Sequence, residues 1–325
     1  MERSPHGTVV QVVGDGLAWD VVDGLTRQPK RLASKYLYDT LGSRLFEAIC
    51  DLPWYNITRG ERALIGRTCD RLVGCLDEPA TLIELGGGSG EKLSLLVEAL
   101  NRQHRSVCVH LVDISPTALD LAGRTLTRYP SVSYVPHQAS YSEGLRAAVT
   151  GLQRNVPAMV LFLGSNIGNL DPADSDRFLR DIQMRLRAGD WLLVGADLIK
   201  PEPELVLAYD DPLGVTAAFN KNLLARLNRE LGADFDLEQF EYRVVWNPSD
   251  SRVESYLVSR IKQTVCLTDV GFSVCFDEGE VIWTESSYKY KREEMVAMGE
   301  AAGFVRCEQW VEPKSRFALT LFQKP

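Results

Sequence analysis

Apolar residues recur with two different periods along this chain, and the change of period marks its organisation. Over residues 8–75 the spacing is mostly helical: Leu45, Phe46 and Ile49 share one face before Pro53 breaks the run. Thr58 and Glu61 stand at capping-box spacing, which predicts a second helix from there to about Leu72. From Thr81 onward, short apolar runs alternate with helical stretches. Strands are predicted over 81–85, 107–112, 132–135, 158–163 and 191–195, and helices over 91–100, 115–126 and 171–186. The run AMVLFL at 158–163 is apolar throughout, as expected for a central strand of a parallel sheet covered on both faces. This alternation predicts right-handed βαβ units and a doubly wound sheet.

Around Lys200-Pro-Glu-Pro203 the alternation stops. A long helical stretch covers 213–231. Period-two patterning then predicts antiparallel strands over 242–246, 252–263, 273–276 and 281–290, with a turn at 277–280. A helix over 293–302 ends at Gly303, and strands over 305–311 and 317–322 close the sheet with an antiparallel edge. The fold class read from this order is α/β, a doubly wound sheet whose last strand is antiparallel, joined to an α+β unit. Residues 61–197 and 286–325 form the sheet domain in this reading. Residues 1–60 and the insertion 198–285 form the second domain.

Composition narrows the function. The net charge is −8, which disfavours a protein that tracks nucleic-acid phosphates, since that needs a basic face. No apolar run approaches the roughly 20 residues of a membrane helix, and the first residues hold no apolar signal core. A cytoplasmic, monomeric protein is the expectation. Seven scattered cysteines read as reduced and mostly buried thiols, and four histidines far apart in sequence suggest no metal site.

The candidate chemistry gathers at predicted strand ends. The segment ELGGGSG (84–90) follows an apolar strand and precedes a helix. Glycines so spaced let backbone approach a dinucleotide or a nucleoside. Asp113 ends the next strand, 29 residues after Glu84; its carboxylate suits two ribose hydroxyls or the N-cap of the following helix. Lys92 lies two residues beyond the last glycine and is either a ligand for a carboxylate or a solvated helix lysine. Ser140 and Tyr141 follow the third strand. The loop GSNIGNLDP (164–172), polar and glycine-containing, follows the fully apolar fourth strand; it reads as a ligand loop or as a turn capped by Asn169 or Asp171.

The GxGxG spacing, with an acid two residues before it, resembles the first motif of class I S-adenosylmethionine methyltransferases. Further segments make the resemblance narrower: YLYDTLGSRLF (36–46), LPWY (52–55), FLGSNIGNL (162–170), AYDDPLGVTAAFN (208–220), NRELGADFD (228–236) and TESSYKY (284–290). Together they resemble the histidine Nα-methyltransferases of ergothioneine biosynthesis, a family that also includes N-methyltransferases for tryptophan derivatives. The likeness covers about residues 20–325. It implies a class I methyltransferase sheet, S-adenosylmethionine as methyl donor with S-adenosylhomocysteine as product, and trimethylation of free histidine to hercynine. It also implies that Gly86, Gly88, Lys92 and Asp113 hold the cofactor, with Ser140 and Tyr141 at the adenine. Tyr38, Gly164, Asn169 and Tyr209 would hold the substrate amine and carboxylate. Tyr55, Glu285 and Ser287 would form the side-chain pocket, with Asn169 and Tyr38 nearest the chemistry and no metal required.

Three positions depart from the family pattern. Ser140-Tyr141 replaces Asp-Phe at the adenine, Ser255 replaces a methionine near the imidazole, and Asn56 replaces a second tyrosine after Tyr55. They keep open the alternative of Nα-methylation of tryptophan, tyrosine or a modified aromatic amino acid. A nonenzymatic S-adenosylmethionine-binding protein is the other alternative. Glu285 and Ser287 favour histidine, because an apolar indole pocket would not bury an unpaired carboxylate.

Overall fold

A computed structural model describes residues 16–152 and 156–325. Positions 8–15 of the predicted helical region lie outside the described residues. The chain opens with α1 (Leu17–Thr26), β1 (Lys30–Arg31), α2 (Thr40–Asp51) and α3 (Asn56–Val73). The alternating region runs β2 (Ala80–Leu85), α4 (Glu91–Arg102), β3 (Val107–Asp113), α5 (Pro116–Leu126), β4 (Val132–Gln138), α6 (Tyr141–Thr150), β5 (Ala158–Phe162), α7 (Pro172–Arg185) and β6 (Trp191–Asp197). Then follow α8 (Glu202–Tyr209), α9 (Val215–Leu231), β7 (Phe240–Asn247), β8 (Arg252–Ser259), β9 (Gln263–Leu267), β10 (Phe272–Phe276) and β11 (Val281–Tyr288). The chain closes with α10 (Arg292–Ala301), β12 (Val305–Glu312) and β13 (Phe317–Gln323).

Seven strands form one sheet in the order β12-β13-β6-β5-β2-β3-β4. β2 to β6 pair in parallel, and β13 is antiparallel to both β6 and β12. This is the class I methyltransferase arrangement. As expected, the closing hairpin completes the sheet with an antiparallel last strand; within the hairpin β13 lies inside, between β6 and β12, and β12 takes the edge. Alternate residues of the central strands separate two cores. Leu82, Val109, Leu111 and Leu161 face α3, α4 and α5, whereas Ile83, Leu85, Val160 and Phe162 face α6, α7 and α10. The first core runs on without a break into α2, α9 and the second sheet through Tyr55, Phe219, Leu257 and Ile282.

That second sheet has the order β1-β11-β8-β7, and β9 with β10 forms a separate two-stranded ribbon. The two-residue strand β1 joins the N-terminal segment to β11 in parallel register, Lys30 opposite Ile282. Such a short pairing leaves no period in the sequence. The predicted strand 252–263 divides into β8 and β9.

Two helices escaped the sequence reading for identifiable reasons. α6 contains Gly144, where a Cβ would meet Val112 Cγ1 at 2.1 Å, so the glycine that weakens the helical pattern permits close packing on β3. α8 begins Glu202-Pro203; a proline in a first turn fits a helix rather than breaking it. α3 begins at Asn56, two residues before the predicted start, so Thr58 and Glu61 form no capping box. All seven cysteines are free, but only Cys69 is buried and Cys275 and Cys307 are exposed, which corrects the expectation of buried thiols. His110 and His137 do meet, Nδ1 to Nε2 at 2.9 Å. Among the described residues no larger group suited to a metal ion is present, and no helix is long and apolar enough to cross a membrane.

Candidate active site

The parallel strands finish along one edge of the large sheet, and the order β3-β2-β5 puts the topological switch point at the ends of β2 and β5. The glycine loop leaves β2 there. Gly86 has φ 72°, and a Cβ on it would stand 2.7 Å from Asn166 Nδ2 and 2.8 Å from the Tyr141 hydroxyl. Only glycine keeps this crevice open. Asn166 Nδ2 donates to Gly86 O at 3.2 Å, linking the loops after β2 and β5.

Asp113 stands at the end of β3. Its Oδ1 accepts from Ser115 N at 2.8 Å, and the backbone N–H of Gly88 also points to the carboxylate. Burial outweighs these bonds and pushes its pKa up to about 6. The N-cap of α5 is Ser115, whose Oγ accepts from Ala118 N, so Asp113 is not needed as the cap. A cavity of about 270 Å³ is lined by Gly86, Gly88, Asp113, Ser140, Tyr141, Tyr38 and Asn169, among others. The Ser140 hydroxyl donates to Glu143 Oε2 at 2.7 Å in the capping box of α6. That donor, expected at an adenine, is committed to the helix terminus instead.

Behind the loop lies Glu84, 1% exposed, with neither carboxylate oxygen partnered. Burial raises its pKa to about 7. An orphaned buried carboxylate is one that a bound water or a ligand's donors would satisfy. With a glycine cradle in front and Asp113 on the next strand, the donor set fits a ligand carrying a cation and a ribose diol, as S-adenosylmethionine does.

Lys92 was expected at the methionyl carboxylate. It lines the space beside Gly86 and Ser89, but its Nζ donates to Glu61 Oε2 at 2.7 Å. Glu61 is fully buried on α3, and both its oxygens accept from Gly164 N, at 2.9 and 2.8 Å. One carboxylate therefore fixes α3, α4 and the loop after β5 against one another. Sequence spacing had given Glu61 a capping role, which hid this one.

A second, more enclosed cavity adjoins the first. Tyr38, Tyr55, Gly164, Asn169, Tyr209, Glu285 and Ser287 all line it, as do Phe46, Thr216 and Phe219. The rings form a box: Tyr38 meets Phe46 and Phe219 edge-on at 5.4 Å, and Tyr55 meets Tyr209 at 6.2 Å. A register shift in β11 between Trp283 and Glu285 re-aims the strand, and Glu285 and Ser287 then alternate onto the cavity side. Burial raises the Glu285 pKa to about 7, opposed by the positive charge of Lys289. Burial, with Glu285 nearby, holds the Tyr38 phenol well above its ordinary value, so it stays protonated at neutral pH. Ser255 stands behind the wall, opposite Glu285 in the ladder, with its hydroxyl 3.1 Å from that of Tyr242. Tyr242 in turn donates to Tyr209 O at 2.9 Å.

Tyr38, Asn166 and Asn169 line both cavities. Asn169 ends the 3-10 turn Asn166–Asn169, directly after β5. Sequence reasoning missed Glu61, Asn166, Thr216, Lys289 and the two phenylalanines as site residues. Asn166 lay within the loop already singled out, and its position beside the glycines was the available signal.

Replacing Glu61 with Ala should destabilise the protein by about 3–5 kcal/mol, because the half-buried Lys92 ammonium loses its counter-charge and the Gly164 N–H its acceptor. Replacement by Gln should cost less, since an acceptor remains for Gly164 N–H. Urea unfolding at neutral pH measures both; a wild-type midpoint for the Ala variant would contradict the assignment.

Comparison with known proteins follows the same lines. The model of the family described as histidine-specific, SAM-dependent methyltransferases matches residues 17–324. A histidine N-alpha-methyltransferase of Mycobacterium tuberculosis is 38% identical over 309 residues, 94% of each chain. The enzyme of the same name from Mycolicibacterium smegmatis is 38% identical over 308 residues, again 94% of each. The L-tryptophan methyltransferase trpM of Psilocybe serbica is 28% identical, covering 92% of this chain and 90% of its own. The chain belongs to the family of histidine-specific, S-adenosylmethionine-dependent methyltransferases.

Proposed function

We propose that this chain methylates the α-amino group of free L-histidine three times, giving hercynine on the route to ergothioneine. The observation that carries the reading is the sharing of Tyr38 and Asn169 between the glycine-loop cavity and the aromatic, Glu285-lined cavity. A donor in the first and an amine in the second would meet at those two side chains.

S-adenosylmethionine supplies an electrophilic methyl group on a sulfonium. Gly86 and Gly88 admit it, Asp113 accepts from the ribose, Tyr141 flanks the adenine, and Glu84 and Lys92, whose ammonium keeps donors beyond the one given to Glu61, serve the methionyl end. The chain's remaining tasks are alignment of the amine and exclusion of water. The Asn169 amide oxygen is a suitable acceptor for the amine N–H, since it is no competing nucleophile. Tyr38, held protonated, serves as a hydrogen-bonding group and not as a base. The box of Tyr38, Phe46, Tyr55 and Phe219 also suits successive methylation, because aromatic faces attract a quaternary ammonium that has no N–H left to donate.

Substrate choice rests on Glu285 and Ser287. Ionised Glu285 accepts from an imidazole N–H, and the Ser287 hydroxyl faces the same ring. Tyr209 and Gly164 hold the carboxylate end. Ser255 is buried outside the cavity lining, with its hydroxyl against that of Tyr242, so it opens no added room for an indole. In this reading the second sheet, the insertion and the N-terminal elements form the substrate side, and the seven-stranded sheet forms the cofactor side.

Two expected outcomes test this. Asp113→Ala should weaken S-adenosylhomocysteine binding by about 2–3 kcal/mol, the loss of charge-assisted hydrogen bonds. In the wild type, affinity should fall as the pH drops through about 6, where Asp113 protonates, and Asp113→Ala should lose that dependence. Calorimetry across pH reads both. Glu285→Ala should lower kcat/KM for histidine by a factor corresponding to about 1.5–3 kcal/mol and change it little for tryptophan. Equal losses for the two amino acids would remove Glu285 from imidazole recognition.

A further inference from the structure

Lys289 lies just past β11, and its side chain is completely buried. Its ammonium makes three contacts: it donates to the Tyr209 hydroxyl at 2.8 Å, to Ser287 Oγ at 2.9 Å, and meets Asp197 Oδ2 at 3.1 Å. Those are all the donors an ammonium has. Tyr209 and Ser287 are themselves 2.8 Å apart and both line the enclosed cavity.

An ammonium offers no acceptor, so each hydroxyl oxygen facing Lys289 can only accept from it. The two hydroxyl protons must point elsewhere. One can be used between Tyr209 and Ser287, and at least one is then left for the cavity. Without the ammonium the two hydroxyls could turn inward and offer the cavity a lone pair instead. Asp197 holds Lys289 in place and is itself paired with Lys200 at 2.6 Å, so the cation is fixed from behind.

We propose that Lys289 is a positioning residue that makes the Tyr209–Ser287 wall a hydrogen-bond donor: one proton faces the cavity while the two hydroxyls stay bonded to each other, and both do when a substrate opens that bond, matched to the carboxylate of an amino acid and to the unprotonated nitrogen of its imidazole. This rests on the reading above that the enclosed cavity takes histidine. It also gives Glu285 a cation just past the end of its own strand. The other titratable groups facing Glu285 are Tyr38, Tyr55, Tyr209 and Tyr242, all held protonated by burial. Lys289 is thus the one cation among these neighbours.

The test is steady-state kinetics of Lys289→Met with histidine, beside S-adenosylhomocysteine binding by calorimetry. Asp197 keeps Lys200 in the variant, so no bare carboxylate is created. The expected result is a KM for histidine raised about tenfold or more, the size of one charged-group hydrogen bond, with cofactor affinity unchanged and kcat altered far less. The acid limb of kcat/KM should move to higher pH, because Glu285 loses its neighbouring cation. Combining Lys289→Met with Tyr209→Phe should add little to KM, since both remove one contact. An unchanged KM, or a loss of cofactor affinity in step with KM, would overturn the proposal in favour of a purely structural lysine. If Lys289→Met does not fold, Tyr209→Phe alone must show the same KM rise with kcat largely kept, and a wild-type KM there would overturn it. Absence of histidine turnover by the wild type would instead overturn the substrate reading itself.

Discussion

The Glu61 carboxylate is the constraint on which the arrangement of both cavities depends. It is fully buried and accepts from the Gly164 backbone and from Lys92. Each partner belongs to a different part of the fold: α3 enters from the N-terminal region, Gly164 begins the loop that carries Asn166 and Asn169, and Lys92 opens the helix behind the glycine loop. A buried ion pair of this kind contributes little net stability over a well-packed apolar substitute, yet loss of one partner is costly. Its value here is geometric. It sets where the loop after β5 stands relative to the loop after β2, and so where a nucleophile can stand relative to a methyl donor.

The same region concentrates buried acids. Asp113 is held near 6, and Glu84 and Glu285 near 7, in each case chiefly by desolvation. A carboxyl whose folded pKa exceeds its unfolded one binds more protons in the folded state. Each therefore lowers the stability of the ligand-free fold as pH rises from the ordinary carboxylate range to these values. Ligands that bring cations and donors relieve that cost. Lys289, backed by Asp197 and Lys200, is the protein's own partial compensation on the substrate side.

Much of the sheet was legible in the sequence because its strands are short, apolar and separated by capped helices: β2, β3, β5 and β6 begin or end within two residues of expectation. The site residues at strand ends were legible for the same reason, since Gly86, Asp113 and Gly164 sit where a parallel strand must stop. What stayed hidden arises from contacts between distant segments. The two-residue β1 has no period of its own. Insertion of β13 inside the sheet is a matter of pairing order, which hydrophobic spacing does not encode. Glu61 carried a local signal, capping-box spacing, that tertiary packing overrode. Lys289 stands within the segment 284–290 quoted from the sequence, but its enclosure by the hydroxyls of Tyr209 and Ser287 is a tertiary contact.

The central claim is that Asn169, at the junction of the two cavities, aligns the amine of the amino acid with the methyl donor. Single-turnover methylation of histidine by Asn169→Ala, with S-adenosylhomocysteine affinity measured on the same preparation, tests it most directly. Alignment carries much of the rate in such a displacement, so methyl transfer should slow by about two orders of magnitude or more while cofactor affinity stays near wild type. Wild-type transfer rates, or a collapse of cofactor binding that accounts for the loss, would contradict the account.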